Sequence, residues 1–173
     1  AAEPAGPDDP VARAQAICLR LLTAAPRTRA QLAEALRRRK VPEEAAQTVL
    51  ERLAAAGMID DEAFARAWVS SRHHGRGLAR RALAAELRQR GVAEDTVDEA
   101  VAELDPAQEA ETARALVARR LPATRGLDPV TRARRLTGML ARKWYSPGLS
   151  FRIVREALEA EGVDEHLLPE EPC

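Results

Sequence analysis

The chain has 173 residues, 27 Lys/Arg balanced by 27 Asp/Glu, 46 % apolar residues and only 3 % aromatic ones. That is enough chain for one compact domain or several small units sharing a core, and the composition is that of a helix-rich protein built on Ala, Leu and Val. Cys18 and Cys173 make no disulfide framework, and no apolar run approaches membrane-spanning length, so neither a disulfide scaffold nor a membrane partner is expected.

The zero net charge hides an uneven distribution. Residues 11–58 carry nine Lys/Arg against four Asp/Glu, residues 59–105 seven against ten, and residues 106–162 eleven against six. Within the middle block, Arg66 to Arg90 holds seven arginines against the single Glu86. Cationic faces on a neutral molecule suit a polyanion or an acidic protein surface.

Residues 1–10 (AAEPAGPDDP) read as a disordered amino-terminal segment. The sequence opens without Met, as a trimmed chain does, and shows no signal peptide, so the cytoplasm is the expected compartment. The first helix places Ala14, Ile17, Cys18, Leu21 and Leu22 on one face. A second helix starts at Thr28, where Thr28 and Gln31 form a capping box. A third opens with Pro42, Glu43 and Glu44, residues that suit a helix amino terminus, and ends at Gly57.

A second set of three starts at Asp60, with Ile59 and Phe64 placed as a hydrophobic staple. Its first helix carries Ala63, Phe64, Ala67 and Trp68. Its second runs from about Leu78 to Arg90 and is closed by Gly91, and its third carries Glu94 and Asp95 in the first turn. A third set begins at Asp105-Pro106, breaks at LPATRGLDP, resumes at Pro129 and starts its last helix at Ser146-Pro147, with Gly162 as the stop.

The sets repeat. Leu32, Leu36, Val41, Ala46, Val49, Leu50 and Leu53 recur 51 positions later as Leu83, Leu87, Val92, Val97, Ala100, Val101 and Leu104. Leu136 and Leu140 take the first two places a third time; after one inserted residue, Val154 and Leu158 fall where Val49 and Leu53 stand. The expected fold is therefore all-α: three tandem three-helix, helix-turn-helix-like repeats (11–58, 59–105 and 106–162) forming an elongated, curved molecule, followed by an acidic tail, 163–173.

The stretch SSRHHGRGLARRALAAELRQRG, Ser70 to Gly91, tests the alternatives to a binding protein. His73 and His74 are adjacent and so point about 100° apart on a helix, the wrong spacing for a metal pair. Gly75-Arg76-Gly77 lacks the length and the Lys-Ser/Thr pair of a phosphate loop and reads as a joint between helices. Ser70, Ser71 and His73 have no evident orienting carboxylate. No catalytic residue, metal or cofactor is expected.

The arginines recur at equivalent places. Arg37, Arg38, Arg39 and Lys40 end the second helix of the first repeat. Arg80, Arg81 and Arg88 lie on that of the second, with Arg72 and Arg76 just before it. Arg132, Arg135, Arg142 and Lys143 lie on that of the third. Guanidinium groups bind phosphate or carboxylate bidentately. Tyr145 occupies the apolar place of Val41; Trp144, beside the cations, is suited either to stack on bases or to anchor an interface.

The segment Met58 to Val92 resembles the central signature of RecX regulatory proteins. The residues that carry the likeness are Ile59-Asp60-Asp61, Phe64-Ala65, Trp68-Val69, Arg72, Gly75-Arg76-Gly77 and Arg90-Gly91-Val92. The three-repeat layout extends it from about Val11 to Gly162. The third repeat departs from the family, with RKWYSPG where an Arg-Gly-aromatic-Ser turn is usual. The resemblance implies a non-enzymatic, all-helical modulator that binds the RecA recombinase, free and as its filament on single-stranded DNA, and inhibits recombination, ATP hydrolysis and co-protease activity. A monomer with weak DNA binding, indifferent to sequence, is expected. The alternative is a helix-turn-helix regulator of double-stranded DNA, which suits small three-helix units with basic helices.

Overall fold

The computed structural model describes residues 9–171. Of the amino-terminal stretch expected to be disordered, residues 1–8 lie outside that range and Pro10 is already helical; residues 172–173 of the acidic tail also lie outside it. Among the described residues the structure is all α, as expected: α1 (Pro10–Ala24), α2 (Arg29–Arg38), α3 (Glu43–Ala55), α4 (Asp61–Arg76), α5 (Arg80–Gln89), α6 (Glu94–Ala102), α7 (Pro106–Arg120), α8 (Pro129–Arg142) and α9 (Pro147–Ala160), with 3-10 turns at Leu121–Thr124 and Glu165–Leu167 and no strand.

Local chemistry starts these helices. Asp9 accepts from the Val11 amide at 3.0 Å ahead of Pro10. Thr28 and Gln31 close the reciprocal box, each bond 3.1 Å. Asp60 accepts from Ala63 N at 2.9 Å, Asp105 from Ala107 N at 2.8 Å and Asp128 from Thr131 N at 3.0 Å. Each of these oxygens satisfies an amide that the helix itself leaves without an acceptor.

The ends are equally regular. At α2 the amide of Lys40 donates to Arg37 O and that of Val41 to Leu36 O; at α5 Gly91 donates to Arg88 O and Val92 to Leu87 O; at α8 Trp144 donates to Ala141 O and Tyr145 to Leu140 O. These are Schellman motifs, which need a left-handed residue just past the helix. Gly91 has φ +76°, but the equivalent residues are Lys40 at +57° and Trp144 at +67°. A side chain in that region costs about 1–2 kcal/mol. The glycine in the second repeat has a steric reason: a Cβ there would lie 2.3 Å from the Cβ of Ala30.

By contact the chain divides into two compact units, one running to Trp68 and including Glu86–Ala100, the other comprising Val69–Ala85 and everything from Val101. The boundary falls inside α4, α5 and α6, so the middle three-helix segment contributes to both cores. The first core gathers Ile17, Cys18, Leu32, Leu36, Val49, Leu50 and Leu53. The second gathers Val117, Leu136, Leu140, Tyr145, Ile153, Val154 and Leu158, together with Leu168. Leu168 comes from the expected acidic tail, which is thus folded through that residue. Every apolar position read as repeating is buried except Val101, which is half-buried.

Two details differ from expectation. Helix α4 continues through His73, His74 and Gly75 to Arg76, so of the two glycines only Gly77 makes the turn, at φ +62°. His73 does not merely end a helix. It is buried, with Nδ1 2.8 Å from Leu78 O and Nε2 2.7 Å from Thr112 Oγ1. A carbonyl only accepts, so Nδ1 carries the proton and Nε2 accepts from the threonine hydroxyl.

Candidate functional site

The cationic second helices are joined, start to carboxy-terminal turn, by the same pair of contacts, used once in each unit. In the first unit, Asp61 of α4 caps α2 by accepting from Arg29 N at 2.9 Å, and Thr28 Oγ1 donates to Arg90 O at 2.6 Å. In the second unit, Glu109 of α7 caps α5 by accepting from Arg80 N at 2.7 Å, and Ala79 N donates to Lys143 O at 3.0 Å. A carboxylate at a helix amino terminus is favoured by the dipole as well as by the hydrogen bond. Each interlock therefore ties the start of one second helix to the carboxy-terminal cap of the next.

The second interlock is the more heavily pinned. Three successive carbonyls follow one another at the end of α4, and each has a side-chain partner. Lys143 Nζ donates to Arg76 O at 2.7 Å, Tyr145 Oη to Gly77 O at 2.9 Å, and His73 Nδ1 to Leu78 O at 2.8 Å. Tyr145 is buried there, and burial, aided by the nearby Glu109 charge, pushes its phenol well above the ordinary tyrosine range. The turn Lys143-Trp144-Tyr145 is thus fixed on the Gly77 joint.

The first interlock carries a ring stack. Phe64 and Trp68 lie parallel with centroids 5.7 Å apart, the Arg90 guanidinium sits 3.8 Å from the Trp68 ring centroid, and Trp68 Nε1 donates to Glu86 Oε2 at 2.8 Å. Those contacts consume Trp68 and Arg90 in structure.

The expected contact residues separate by environment. Arg37, Arg38, Arg39 and Lys40 are exposed at the end of α2, where Arg37 and Arg38 both hold Glu34. Their hydrogen bonds keep that carboxyl below the usual carboxylate range. Arg81, Arg135 and Arg142 are exposed, as is Arg76, while Arg72 and Arg80 are half-buried. Arg88 is exposed but forked onto Glu94, which lowers the glutamate's pKa and raises the arginine's. Lys143 is half-buried and spends a proton on Arg76 O. Trp144 is 50 % exposed.

Arg132, expected among the contact cations, does not face outward. It is buried, with Nε 3.0 Å from Thr124 Oγ1 and a terminal nitrogen 2.5 Å from Glu161 Oε2. It lies four residues before Leu136 and eight before Leu140, on the apolar stripe, so its charge is turned inward. That spacing was the available signal. The capping carboxylates Asp61 and Glu109 have no local sequence signal, because each serves a helix about thirty residues away.

Among the described residues no helix is long and apolar enough to cross a membrane. Residues 14–53 match the first three-helix domain of RecX and residues 60–101 the second. The regulatory protein RecX of Streptomyces coelicolor is 67 % identical over 162 residues, covering 93 % of this chain and 86 % of the relative; that of Thermobifida fusca is 67 % identical over 160 residues, 92 % and 86 %. The crystal structure of RecX from Lactobacillus salivarius superposes with a TM-score of 0.78 at 16 % identity, over 86 % of this chain and 96 % of that one. Another RecX crystal structure gives 0.73 at 24 % identity, over 86 % and 72 %. At those identities the two structures speak to the fold.

Proposed function

The chain belongs to the RecX family of regulatory proteins, and from that premise we propose that it restrains the RecA recombinase by binding RecA both free and as its filament on single-stranded DNA. In this reading it lowers recombination, ATP hydrolysis and co-protease activity without catalysing a reaction of its own. It works as a cytoplasmic monomer whose binding units are the three segments 11–58, 59–105 and 106–162.

The observation that supports the reading best is the recurrence of exposed cations at the carboxy-terminal ends of equivalent helices, each closed by the same Schellman turn: Arg37 to Lys40 at the end of α2, and Arg142 beside Trp144 at the end of α8. A nucleoprotein filament offers both phosphate and acidic protein, and guanidinium groups bind either in bidentate fashion. DNA binding by the protein alone is weak, salt-sensitive and indifferent to sequence.

The test is RecA's single-stranded-DNA-dependent ATPase with and without the protein. The parent lowers the rate. Reversing Arg37, Arg38 and Arg39 together to Glu, or Arg81 and Arg88 together, weakens the inhibition while circular dichroism stays helical. An unperturbed ATPase overturns the reading. So does a large preference for one duplex sequence in the absence of the recombinase, the behaviour of a helix-turn-helix regulator.

A further inference from the structure

We propose that Trp144 is a stacking platform for an unpaired nucleobase of single-stranded DNA, with Arg81 and Arg142 placed to meet the adjacent phosphates. The inference rests on the filament reading above and deepens it: it names the DNA strand, rather than the recombinase, as what this turn touches.

The backbone supplies the first argument. Trp144 stands where the second repeat has Gly91, at φ +67°, a conformation that disfavours a bulky side chain. The indole is half exposed, and among the described residues no hydrogen bond or ring contact engages it. Trp68, by contrast, is stacked, hydrogen-bonded and covered by Arg90. A ring kept at a disfavoured position without an internal partner is placed for an external one.

The second argument is position. The first interlock brings Gly91 against Ala30 so closely that no Cβ fits. At the second interlock the places of Gly91 and Ala30 are taken by Trp144 and Arg81, both exposed. A contact closed by two small residues in one unit is thus occupied, in the other, by an aromatic and a cation. The turn that carries the indole is fixed by Lys143 Nζ on Arg76 O, Ala79 N on Lys143 O and Tyr145 Oη on Gly77 O. The backbone on both sides of the indole is thus already ordered, so a base that stacks there does not have to order the turn.

Charge chooses the ligand. From Pro129 to Arg142 helix α8 has no acidic residue, while Arg134, Arg135 and Arg142 are exposed on it. The ligand is therefore anionic, and it must also offer a flat face to a flat ring. A single strand offers both, since its bases are free to leave the stack; a duplex keeps its base faces covered.

The test titrates the full chain into a fluorescein-labelled oligothymidylate at low salt, following anisotropy, for the parent and for Trp144→Ala, Trp144→Gly and Trp144→Phe. Trp144→Ala is expected to weaken binding roughly tenfold, the effect of one lost base stack. Trp144→Phe retains most of the affinity. The slope of log K against log salt stays the same in all, because no charge is removed. Trp144→Gly binds as weakly as the alanine variant although its backbone is relaxed, so misfolding is not the cause. Parent-like binding by the alanine and glycine variants overturns the proposal, as does a parent that does not bind the oligonucleotide. An alanine variant that binds the oligonucleotide normally but no longer restrains the RecA ATPase overturns it in favour of a protein anchor. If the parent leaves that ATPase untouched, the filament reading fails while the titration still judges this site.

Discussion

A methyl group on Gly91 would lie 2.3 Å from the methyl of Ala30. Two constraints therefore meet at this glycine, its φ of +76° and the wall opposite. Gly91→Ala is expected to destabilise the protein by more than the 1–2 kcal/mol of the left-handed conformation alone. Adding Ala30→Gly removes the collision but not the conformational cost. The double variant is therefore expected to be more stable than Gly91→Ala, a coupling readable by chemical denaturation as a double-mutant cycle.

The reverse exchange is expected to stabilise the protein at the equivalent residue of the third repeat. Trp144→Gly relieves the left-handed strain, about 1–2 kcal/mol, and loosens the unfolded chain by about 0.4–1 kcal/mol. The balance favours the variant by roughly 0.5–1 kcal/mol, a rise of about 1–4 °C in Tm for a chain of this size. A melt of parent and variant side by side checks it; a lower Tm means that the indole packs in the fold after all.

These contrasts bear on what the sequence makes legible. Helix starts at Thr28, Asp60, Asp105, Pro129 and Ser146 and stops at Gly57, Gly91 and Gly162 could be read because capping is local chemistry, settled within four residues. Tyr145 could be matched to Val41 because it stands 104 residues on, the same offset that carries Leu32 to Leu136 and Leu36 to Leu140. Arg132 and His73 do not follow their residue type: each lies on a buried stripe (Arg132 with Leu136 and Leu140, His73 with Ala65 and Val69), and the spacing outweighs the polarity. The interlocks were not legible at all. Nothing near Asp61 announces that its carboxylate caps α2, since that bond joins residues 32 apart.

Tyr145 makes the second interlock sensitive to alkali. Its phenol donates to Gly77 O at 2.9 Å, and both atoms are buried. Tyr145→Phe leaves that carbonyl without its partner and is expected to cost about 1–3 kcal/mol at neutral pH. The phenol's pKa is raised in the folded protein from the ordinary value of 10.0, by burial first and by Glu109 second. The folded state thus holds this proton more tightly than the unfolded one. Stability from this group is intact below pH 10 and falls as pH rises above it. The phenylalanine variant should lose that part of the alkaline slope, which denaturant titrations between pH 8 and 11 will show. An unchanged slope rules Tyr145 out as its source.

Glu161 sets the acid side and separates structure from binding. Its carboxylate receives the Arg132 guanidinium at 2.5 Å and Arg125 at 2.8 Å, and these hydrogen bonds, Arg132's first, hold its pKa below the ordinary 4.5. As pH falls, the unfolded chain takes up a proton at this position before the folded one does. The stability the carboxylate contributes is thus present above pH 4.5 and lost as acid titrates through the lower, folded value. Glu161→Gln should therefore be less stable at pH 7 and flatter below pH 5. It also leaves the buried Arg132 without its counter-charge, the costlier half of the change. Arg132→Ala is expected to melt several degrees lower. At a temperature where it is still folded, it should restrain the recombinase as the parent does. Arg135→Glu, on the exposed face of the same helix, should do the reverse, with an unchanged melt and weaker inhibition. If both variants lose inhibition while folded, the inward-facing guanidinium shapes the outer surface of α8; if neither does, the contact face lies off this helix.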